Sequence, residues 1–448
     1  MKKFIETIKN IWNIEDLRTR LMITFLFVLI YRFGSFIVLP GINPESLTAL
    51  QNQTAGGLMS LLDMFSGGAF SNASIFALGI MPYISASIVV QLLTIAVPYF
   101  QKMQREGESG RRKMNQITRY LTVLILLVQG PTYLVNLGVQ LNYVGAALPQ
   151  GWWFTISSTI ILCAGSMFVM WLGERITDKG IGNGISFIIL IGIIARLPES
   201  LLQEFVSRYN EAGGGLIMFI LEIVILFVVV SLSILLVQGT RKIPVQYAKR
   251  VIGNKQYGGV RQYLPLKVNA AGVMPIIFAQ AIMFIPITLA GFASNDGDVS
   301  AFTQAFMDNS GFWYNFVFAL LIIAFTYFYT AITINPTQMA EDMKRNNGFI
   351  PGIKPGKKTA EYLDEVMSRI TLPGSFFLAI VAILPAFATK MGISAGFAQF
   401  FGGTSLLIMV GVVLDTLQQI ESHLLMRHYD GLLKSGRIKG RTGSVAAY

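Results

Sequence analysis

The chain has 448 residues, of which 53% are hydrophobic and only 13% are charged, and its formal net charge is +11. Soluble domains carry about 25% charged residues, so this composition excludes an ordinary soluble enzyme and predicts an integral membrane protein. Cys163 is the only cysteine, which excludes an intrachain disulfide, and His423 and His428 are too few for a usual metal site. No cleavable signal peptide is evident, because the first apolar run, near Leu21, is long and lacks a small-residue cleavage site.

The chain begins with a short basic segment and continues with ten long apolar runs. Residues 1–17 predict an amphipathic helix on the membrane surface, and a short solvated tail is the alternative. Each later run reaches the roughly 20 residues that a helix needs to cross a bilayer. The runs lie at 20–39, 75–97, 117–137, 152–172, 184–202, 216–237, 268–291, 313–334, 370–389 and 400–420.

Basic residues alternate between the connections, so that 31 of the 35 lysines and arginines fall on one side of the membrane. The positive-inside rule therefore places both termini in the cytoplasm. Ten spans divide into two halves of five, and an odd number per half predicts an inverted repeat. The predicted divisions are an amphipathic segment at 1–19, a first half at 20–205, a second half at 206–425 and a basic tail at 426–448.

The stretch from Met64 to Leu93 is unusual for a membrane helix. Its first third is rich in glycine and small polar residues, and its later part contains Pro82 among serines and a glutamine. Such a segment is ill suited to face lipid, where backbone groups must be satisfied internally. Gly- and Pro-interrupted apolar segments also mark transport sites. The stretch therefore predicts a moving stopper and the front wall of a pore.

Enzymatic motifs are not found in the sequence. It contains no phosphate-binding loop, no H-E-x-x-H and no Ser/His/Asp set. The glycines of 180–184 predict a tight turn between two membrane helices rather than a nucleotide loop. An ion-coupled secondary transporter with inverted repeats is the alternative function, but it needs acidic groups near the bilayer midplane. Glu222 and Asp415 lie toward the ends of their spans, and Arg32 in the first span has no obvious partner.

Two cytoplasmic connections, 239–267 and 335–369, are much longer than a minimal turn. Topology alone explains their basic charge, but not their length or their turn-rich tips. A protruding basic hairpin suits a phosphate backbone or an acidic protein surface, which predicts a docking role. Isoleucines in four of the spans form a further set that, on composition alone, is ordinary packing.

The chain resembles the SecY family, the central subunit of the bacterial general protein-secretion channel. The resemblance covers nearly the whole chain. It rests on MFSGGAFSNASIFALGIMPYISASI (64–88), EGESGRRK (106–113), MWLGERITDKGIGNGIS (170–186), YAKR (247–250), LPLKVNAAGVMP (264–275), NNGFIPGIKPG (346–356) and FGGTSLLI (401–408).

The resemblance implies an all-α membrane protein with ten transmembrane helices in two inverted five-helix halves around a central pore, which is closed by a plug helix at 62–74. It implies no enzymatic activity and no cofactor. The implied plug residues are Asp63, Met64, Phe65, Ser66, Gly67, Gly68, Ala69, Phe70, Ser71 and Asn72. The implied pore ring consists of Ile80, Ile84, Ile189, Ile277 and Ile408.

A lateral gate is implied between the second and third spans on one side and the seventh and eighth on the other. Polar residues that we expect to form a weak seam across it are Ser85, Ser87, Gln91, Gln129 and Asn269. Implied docking residues are Arg241, Lys242, Lys249, Arg250, Lys255, Arg261, Lys344, Arg345, Lys354, Lys357 and Lys358. The implied partners are small subunits similar to SecE and SecG, a SecA-like ATPase motor, the ribosome, secretory polypeptides with signal sequences, and the lipid bilayer of the plasma membrane.

Three positions carry separate expectations. Lys354 stands where the family has an arginine, so the charge is kept and the bidentate geometry is lost. Gln280, one turn beyond Ile277, is larger than the small residue usual in the family. Pro82 lies between two ring residues, and we expect it to interrupt helix hydrogen bonding at the constriction.

Overall fold

The computed structural model describes residues 12, 14–43, 63–143, 149, 151–210, 215–247, 250–252, 255–257, 261–280, 282–283 and 311–434. Within these residues the chain is mostly helical. The predicted amphipathic segment 1–17 lies largely outside them, and the first helix, α1, spans Glu15–Gly34.

Five further helices complete the first half of the chain. They are α2 (Met81–Ala96), α3 (Pro98–Arg105), α4 (Glu108–Tyr143), α5 (Trp152–Lys179) and α6 (Gly184–Asn210). α2 and α3 form one bent pair, with an angle of 101° between 81–94 and 98–104. Val97 joins them in an extended conformation, which is the conformation that a residue before proline favours.

The second half begins with α7 (Gly215–Gln238) and continues with the strands β1 (Thr240–Tyr247), β2 (Arg250–Ile252), β3 (Lys255–Tyr257) and β4 (Arg261–Lys267). A helical segment at 274–280 follows. Then come α8 (Phe312–Thr333), α9 (Pro336–Arg345), β5 (Gly348–Phe349), α10 (Lys357–Lys390), the short α11 (Ala395–Ala398), a 3₁₀ turn at Gln399–Phe401 and α12 (Gly403–Lys434).

Seven helices within the described ranges are long and apolar enough to cross a membrane, or eight if α2 and α3 count as one bent span. α1 carries five charged residues in its 20 positions, so it is less apolar than the others. The predicted seventh span, 268–291, lies only partly within the described ranges. The all-α membrane class is confirmed, whereas the count of ten spans stays a prediction.

The spanning helices expose many large apolar side chains, as lipid-facing helices do. α7 is the most apolar of the spanning helices found in the described residues, and only 11% of an apolar stretch of 18 residues within it is buried inside the protein. Phe227, midway along it, is 72% exposed. A helix that is apolar on all sides and little buried by protein is suited to lipid contact.

The tight turn predicted at 180–184 is confirmed. α5 ends at Lys179 and α6 begins at Gly184, so four residues reverse the chain. Gly182 has φ +81°, a left-handed conformation that glycine adopts at little cost. Its N–H donates to the Gln419 side chain of α12 at 2.8 Å, which ties this turn to the last helix.

The two long connections, 239–267 and 335–369, are joined by one small sheet, which the sequence did not predict. β1 pairs antiparallel with β4, with Ile243 opposite Leu264. β5, from the second connection, pairs with the end of β1, so the strand order is β4-β1-β5. Ile243 and Val245 pack with Met343 and other apolar residues in a small core of their own. The two connections are therefore a single structural unit.

Candidate functional site

The plug segment, residues 63–74, begins with one helical turn at 63–66 and is followed by turns as far as residue 80. α2 starts only at Met81, with Ile80 at its N-cap and Pro82 in its first turn. Proline is tolerated there because the N–H that it lacks has no intrahelical partner. The predicted loss of helix hydrogen bonding at Pro82 is therefore wrong. The helix begins at this point, and the Ile84 N–H donates to the Ile80 carbonyl at 3.1 Å.

The five predicted ring isoleucines belong to one apolar cluster, although they come from four separate segments of the sequence. They are Ile80, Ile84, Ile189, Ile277 and Ile408. Three of them are buried, and Ile84 and Ile277 are partly buried against the others. Met64, Phe65 and Ala69 of the plug segment belong to the same cluster. The plug segment and the isoleucines are therefore packed together at one place.

Two glycines let the plug segment approach α6 at backbone distance. A Cβ added at Gly192 of α6 would lie 2.8 Å from the Phe65 carbonyl oxygen. A Cβ added at Gly67 would lie 2.9 Å from the Gly192 Cα, and Gly67 has φ +65°. Any larger side chain at position 192 must push the plug segment away or shift α6. Gly192 is a residue that sequence reasoning missed, because its role depends on a contact with a distant segment.

Side chains from α1 and α4 hold the plug backbone through its carbonyl groups. The Tyr31 hydroxyl donates to the Ser66 carbonyl at 3.1 Å, and Arg32 Nη1 donates to the Gly67 carbonyl at 2.7 Å. From another side, the Tyr133 hydroxyl of α4 donates to a third plug carbonyl at 2.9 Å. Arg32 thus has the partner that the sequence did not reveal. The plug segment is fixed by more polar contacts than its small side chains suggested.

An arginine of α6 makes the most extensive contact with the plug segment. Arg196 Nη2 forms an ion pair with Asp63 Oδ2 and donates to the Ser71 hydroxyl at 2.8 Å. Its Nη1 lies 3.1 Å from a carboxylate oxygen of Glu199. A Cβ on Gly68 would lie 3.3 Å from Arg196 Nε, so the guanidinium lies close to the plug backbone between its two ends. Neither Arg196 nor this pairing was predicted as part of the site.

The predicted gate residues are only partly brought together. Ser85, Ser87 and Gln91 lie on α2, which packs against α4, and Gln129 lies exposed on α4. Asn269 is buried in the turn before the helical segment 274–280. The side-chain oxygens of Gln91 and Asn269 are buried and have no hydrogen-bond partner among the described residues. The structure therefore shows no seam through these two atoms, and the gating role of the five residues stays a prediction.

The predicted docking residues that the structure describes lie in the unit formed by the two long connections, 239–267 and 335–369. Those with exposed side chains are Arg241, Lys242, Lys344, Arg345, Lys354, Lys357 and Lys358. Lys354 lies in the turn between β5 and α10, and its carbonyl accepts from the Thr359 hydroxyl at 2.9 Å. Lys249 and the side chains of Arg250, Lys255 and Arg261 lie outside the described residues. Because one sheet joins both connections, these cations belong to one structural unit.

A buried ion cluster at the junction of the two halves was also missed. Arg208 at the end of α6 binds Glu204 Oε1 at 3.0 Å and Glu222 Oε1 of α7 at 2.7 Å. It also donates to the Gly392 carbonyl at 2.9 Å, and Glu204 accepts from the Ser394 N–H. All three charged residues are buried. The cluster therefore fastens the α6–α7 connection to the segment that follows α10.

Comparisons with known proteins agree with this architecture. The family model SecY matches residues 74–417. The protein translocase subunit SecY of Halalkalibacterium halodurans is 45% identical, over 96% of this chain and 99% of that protein. The protein translocase subunit SecY of Chlamydia trachomatis is 40% identical, over 97% of this chain and 99% of that protein.

Solved channels share the fold at low sequence identity. A structure described as that of a protein conducting channel aligns with a TM-score of 0.59 at 18% identity, over 90% of this chain and 92% of that one. Canine Sec61, solved in a ribosome-channel complex from the endoplasmic reticulum, aligns with a TM-score of 0.56 at 17% identity, over the same shares of the two chains. The near-complete match to the bacterial subunits is decisive, and the chain belongs to the SecY family.

Proposed function

We propose that the chain is the protein-conducting channel subunit of a bacterial translocase. It passes unfolded secretory polypeptides across the plasma membrane and releases membrane-protein segments laterally into the bilayer. The observation that carries this proposal is the single apolar cluster that contains five isoleucines from four separate segments together with residues of the plug segment. A transporter of small solutes needs polar groups at that place to bind its substrate, so the composition of the cluster favours the channel.

The chemistry of the cluster explains how such a channel passes any sequence without leaking ions. An apolar constriction excludes water when it is empty, which blocks ions, and its side chains move apart around a passing chain. The plug segment adds a second barrier, because Met64 and Phe65 belong to the same apolar cluster as the isoleucines. The proposed channel is passive and catalyses no reaction. Its driving force comes from the ribosome, an ATPase motor or the membrane potential.

As a member of this family the chain is a multi-span protein of the bacterial plasma membrane. We propose that both termini are cytoplasmic and that the plug segment lies on the opposite side, because basic residues concentrate in alternate connections. The proposed architecture has ten spans in two inverted halves, 20–205 and 206–425. Both halves contribute to the apolar cluster: Ile189 comes from the first and Ile408 from the second.

The exposed cations of the unit formed by the two long connections, 239–267 and 335–369, support docking of a large anionic partner. Lys357 and Lys358 lie in the first turn of α10, and Lys344 and Arg345 end α9 beside the same sheet. Such cations bind phosphate backbones through charge and counterion release, which suits ribosomal RNA. The relative in the canine complex was solved on a ribosome. A SecA-like motor is proposed for the same surface, and SecE-like and SecG-like subunits are proposed along the lipid-facing helices.

A crosslink to a translocating chain tests the channel directly. Cys163 is first replaced by serine, and a single cysteine is then introduced as Ile84→Cys in the apolar cluster or as Phe227→Cys on the exposed face of α7. A secretory polypeptide stalled during transport is expected to crosslink at position 84 and not at position 227. Equal crosslinking at both positions, or none at position 84 with a chain shown to be stalled across the membrane, contradicts the proposed path.

A further inference from the structure

The sealing mechanism above uses the apolar contacts of the plug segment and leaves Arg196 without a role. This residue lies inside α6, a helix that borders the apolar cluster, and its side chain is about four-fifths buried. A charged side chain inside a membrane span is costly unless it is paired. Its main counter-charge, Asp63, comes from the plug segment and is itself buried. This buried ion pair therefore exists only while the plug segment is seated.

Asp63 joins the two ends of the plug segment as well as binding α6. One oxygen, Oδ1, accepts the Ser71 N–H at 2.8 Å, which closes the loop from residue 63 to residue 71. The other oxygen, Oδ2, binds Arg196, which also holds the Ser71 hydroxyl. One guanidinium therefore binds residues at both ends of this loop.

The remaining carboxylate near Arg196 does not account for its position. Glu199 is on the same helix, one turn later, and its side chain is 64% exposed. Exposed ion pairs of this kind contribute little, because water and ions compete for both charges. The buried pair with Asp63 and the bond to Ser71 are thus the contacts that are lost when the plug segment moves.

We propose that Arg196 and Asp63 form an electrostatic latch that sets how often the plug segment leaves its closed position. Arg196 is a positioning residue, since it acts on the plug segment and not on the translocated chain. This inference rests on the proposed channel function. Unseating the plug segment leaves both charges without their partner, so the closed state is favoured by the pair in addition to apolar packing. The latch increases the free energy needed to unseat the plug segment and leaves the width of the open pore unchanged.

The test measures the opening frequency of reconstituted channels in planar bilayers. Arg196→Met keeps much of the side-chain length, removes the charge and is expected to raise the fraction of time open about tenfold, which corresponds to ~1.4 kcal/mol. Arg196→Lys keeps the charge but replaces the planar guanidinium with a compact ammonium group on a different stem, so it is expected to fall between wild type and Arg196→Met. Glu199→Gln is the matched control and is expected to behave as wild type.

A double-mutant cycle separates a latch from a general loss of stability. Asp63→Asn keeps an oxygen for the Ser71 N–H and removes the charge, and it is expected to open as often as Arg196→Met. The double variant is expected to be no more open than either single variant, because both remove the same interaction. Fully additive effects, or wild-type opening in Arg196→Met with an unchanged thermal midpoint, overturn the latch.

Deletion of residues 63–73 distinguishes failure of the latch from failure of the channel itself. If the deletion increases ion leakage while Arg196→Met does not, the latch is wrong and the plugged channel stands. If neither change alters leakage, the plug assignment in the proposed function is wrong as well. In the deleted protein, Arg196→Met is expected to have no further effect on opening, since the latch no longer has its other half.

Discussion

The close approach of α6 to the plug segment makes Gly192→Ala a sensitive perturbation. The added Cβ would lie 2.8 Å from the Phe65 carbonyl oxygen, 3.2 Å from the Gly67 nitrogen and 3.3 Å from the Met64 carbonyl oxygen. All three are backbone atoms, so no side-chain rotation relieves the contact. Alanine favours a helix more than glycine does, so α6 itself is not weakened. The strain is therefore expected to unseat the plug segment.

The expected size follows from the usual cost of overpacking. One extra methyl group in a closely packed site costs about 1–3 kcal/mol. If about 2 kcal/mol of that cost falls on the seated state, the ratio of unseated to seated plug rises roughly 30-fold. The assay is ion flux through proteoliposomes, with opening frequency in planar bilayers as the second measurement. Both are expected to increase, while the thermal unfolding midpoint stays close to that of wild type.

A matched control and a background deletion make this prediction refutable. At Gly411 of α12, an added Cβ meets only Val273 Cγ2, at an ordinary 3.7 Å, so Gly411→Ala is expected to leave conductance unchanged. In a protein that lacks residues 63–73, Gly192→Ala is expected to add no leakage. If folded Gly192→Ala conducts no more than Gly411→Ala, the glycine contact does not seat the plug segment, and the reasoning fails.

Two other features give predictions of their own. Arg208→Met leaves two buried carboxylates without their shared cation and is expected to lower the free energy of unfolding by about 3–5 kcal/mol in a thermal or denaturant melt. Arg369→Met removes one partner of an exposed ion pair and is expected to lower the free energy of unfolding by under about 1 kcal/mol. Equal losses in the two variants contradict this prediction. Lys357→Glu with Lys358→Glu is expected to weaken ribosome binding. It is also expected to make the slope of log affinity against log salt concentration less steep, by the equivalent of up to about two phosphate contacts. Lys390→Glu, at the other end of α10, is expected to change neither the affinity nor the slope. Because acidic residues suit a helix N-terminus, the double change does not unfold α10, so unaltered binding means that these lysines do not dock the ribosome.

Local patterns in the sequence predicted most of the helical framework. The apolar run at 152–172 and the glycines at 180–184 correctly gave the start of α5 and the turn into α6. The error at Pro82 came from treating an apolar run as one helix. The preceding residues, 67–80, are turns, and proline is a common first-turn residue as well as a helix breaker. In an apolar run, the spacing of apolar residues does not show whether a proline begins a helix or interrupts one.

The polar part of the site was beyond a reading of the sequence because it joins distant segments. The pairing of Asp63 with Arg196, and of β1 with β5, depends on which elements are neighbours in space. Nothing in the local spacing of these residues reveals it. One signal was available: Arg32 and Arg196 are charged residues within or near membrane spans, and such residues need partners. In the structure those partners are an acid and carbonyl groups of the plug segment.

The distance along the chain between the plug segment and α6 has a consequence for how the protein is made. Asp63 leaves the ribosome more than a hundred residues before Gly192 and Arg196 do. At typical synthesis rates of about 5–20 residues per second, that interval is on the order of ten seconds. During this time the nascent plug segment lacks Gly192 and Arg196, against which it packs in the finished protein. The nascent first half therefore completes its seal only after α6 has entered the membrane.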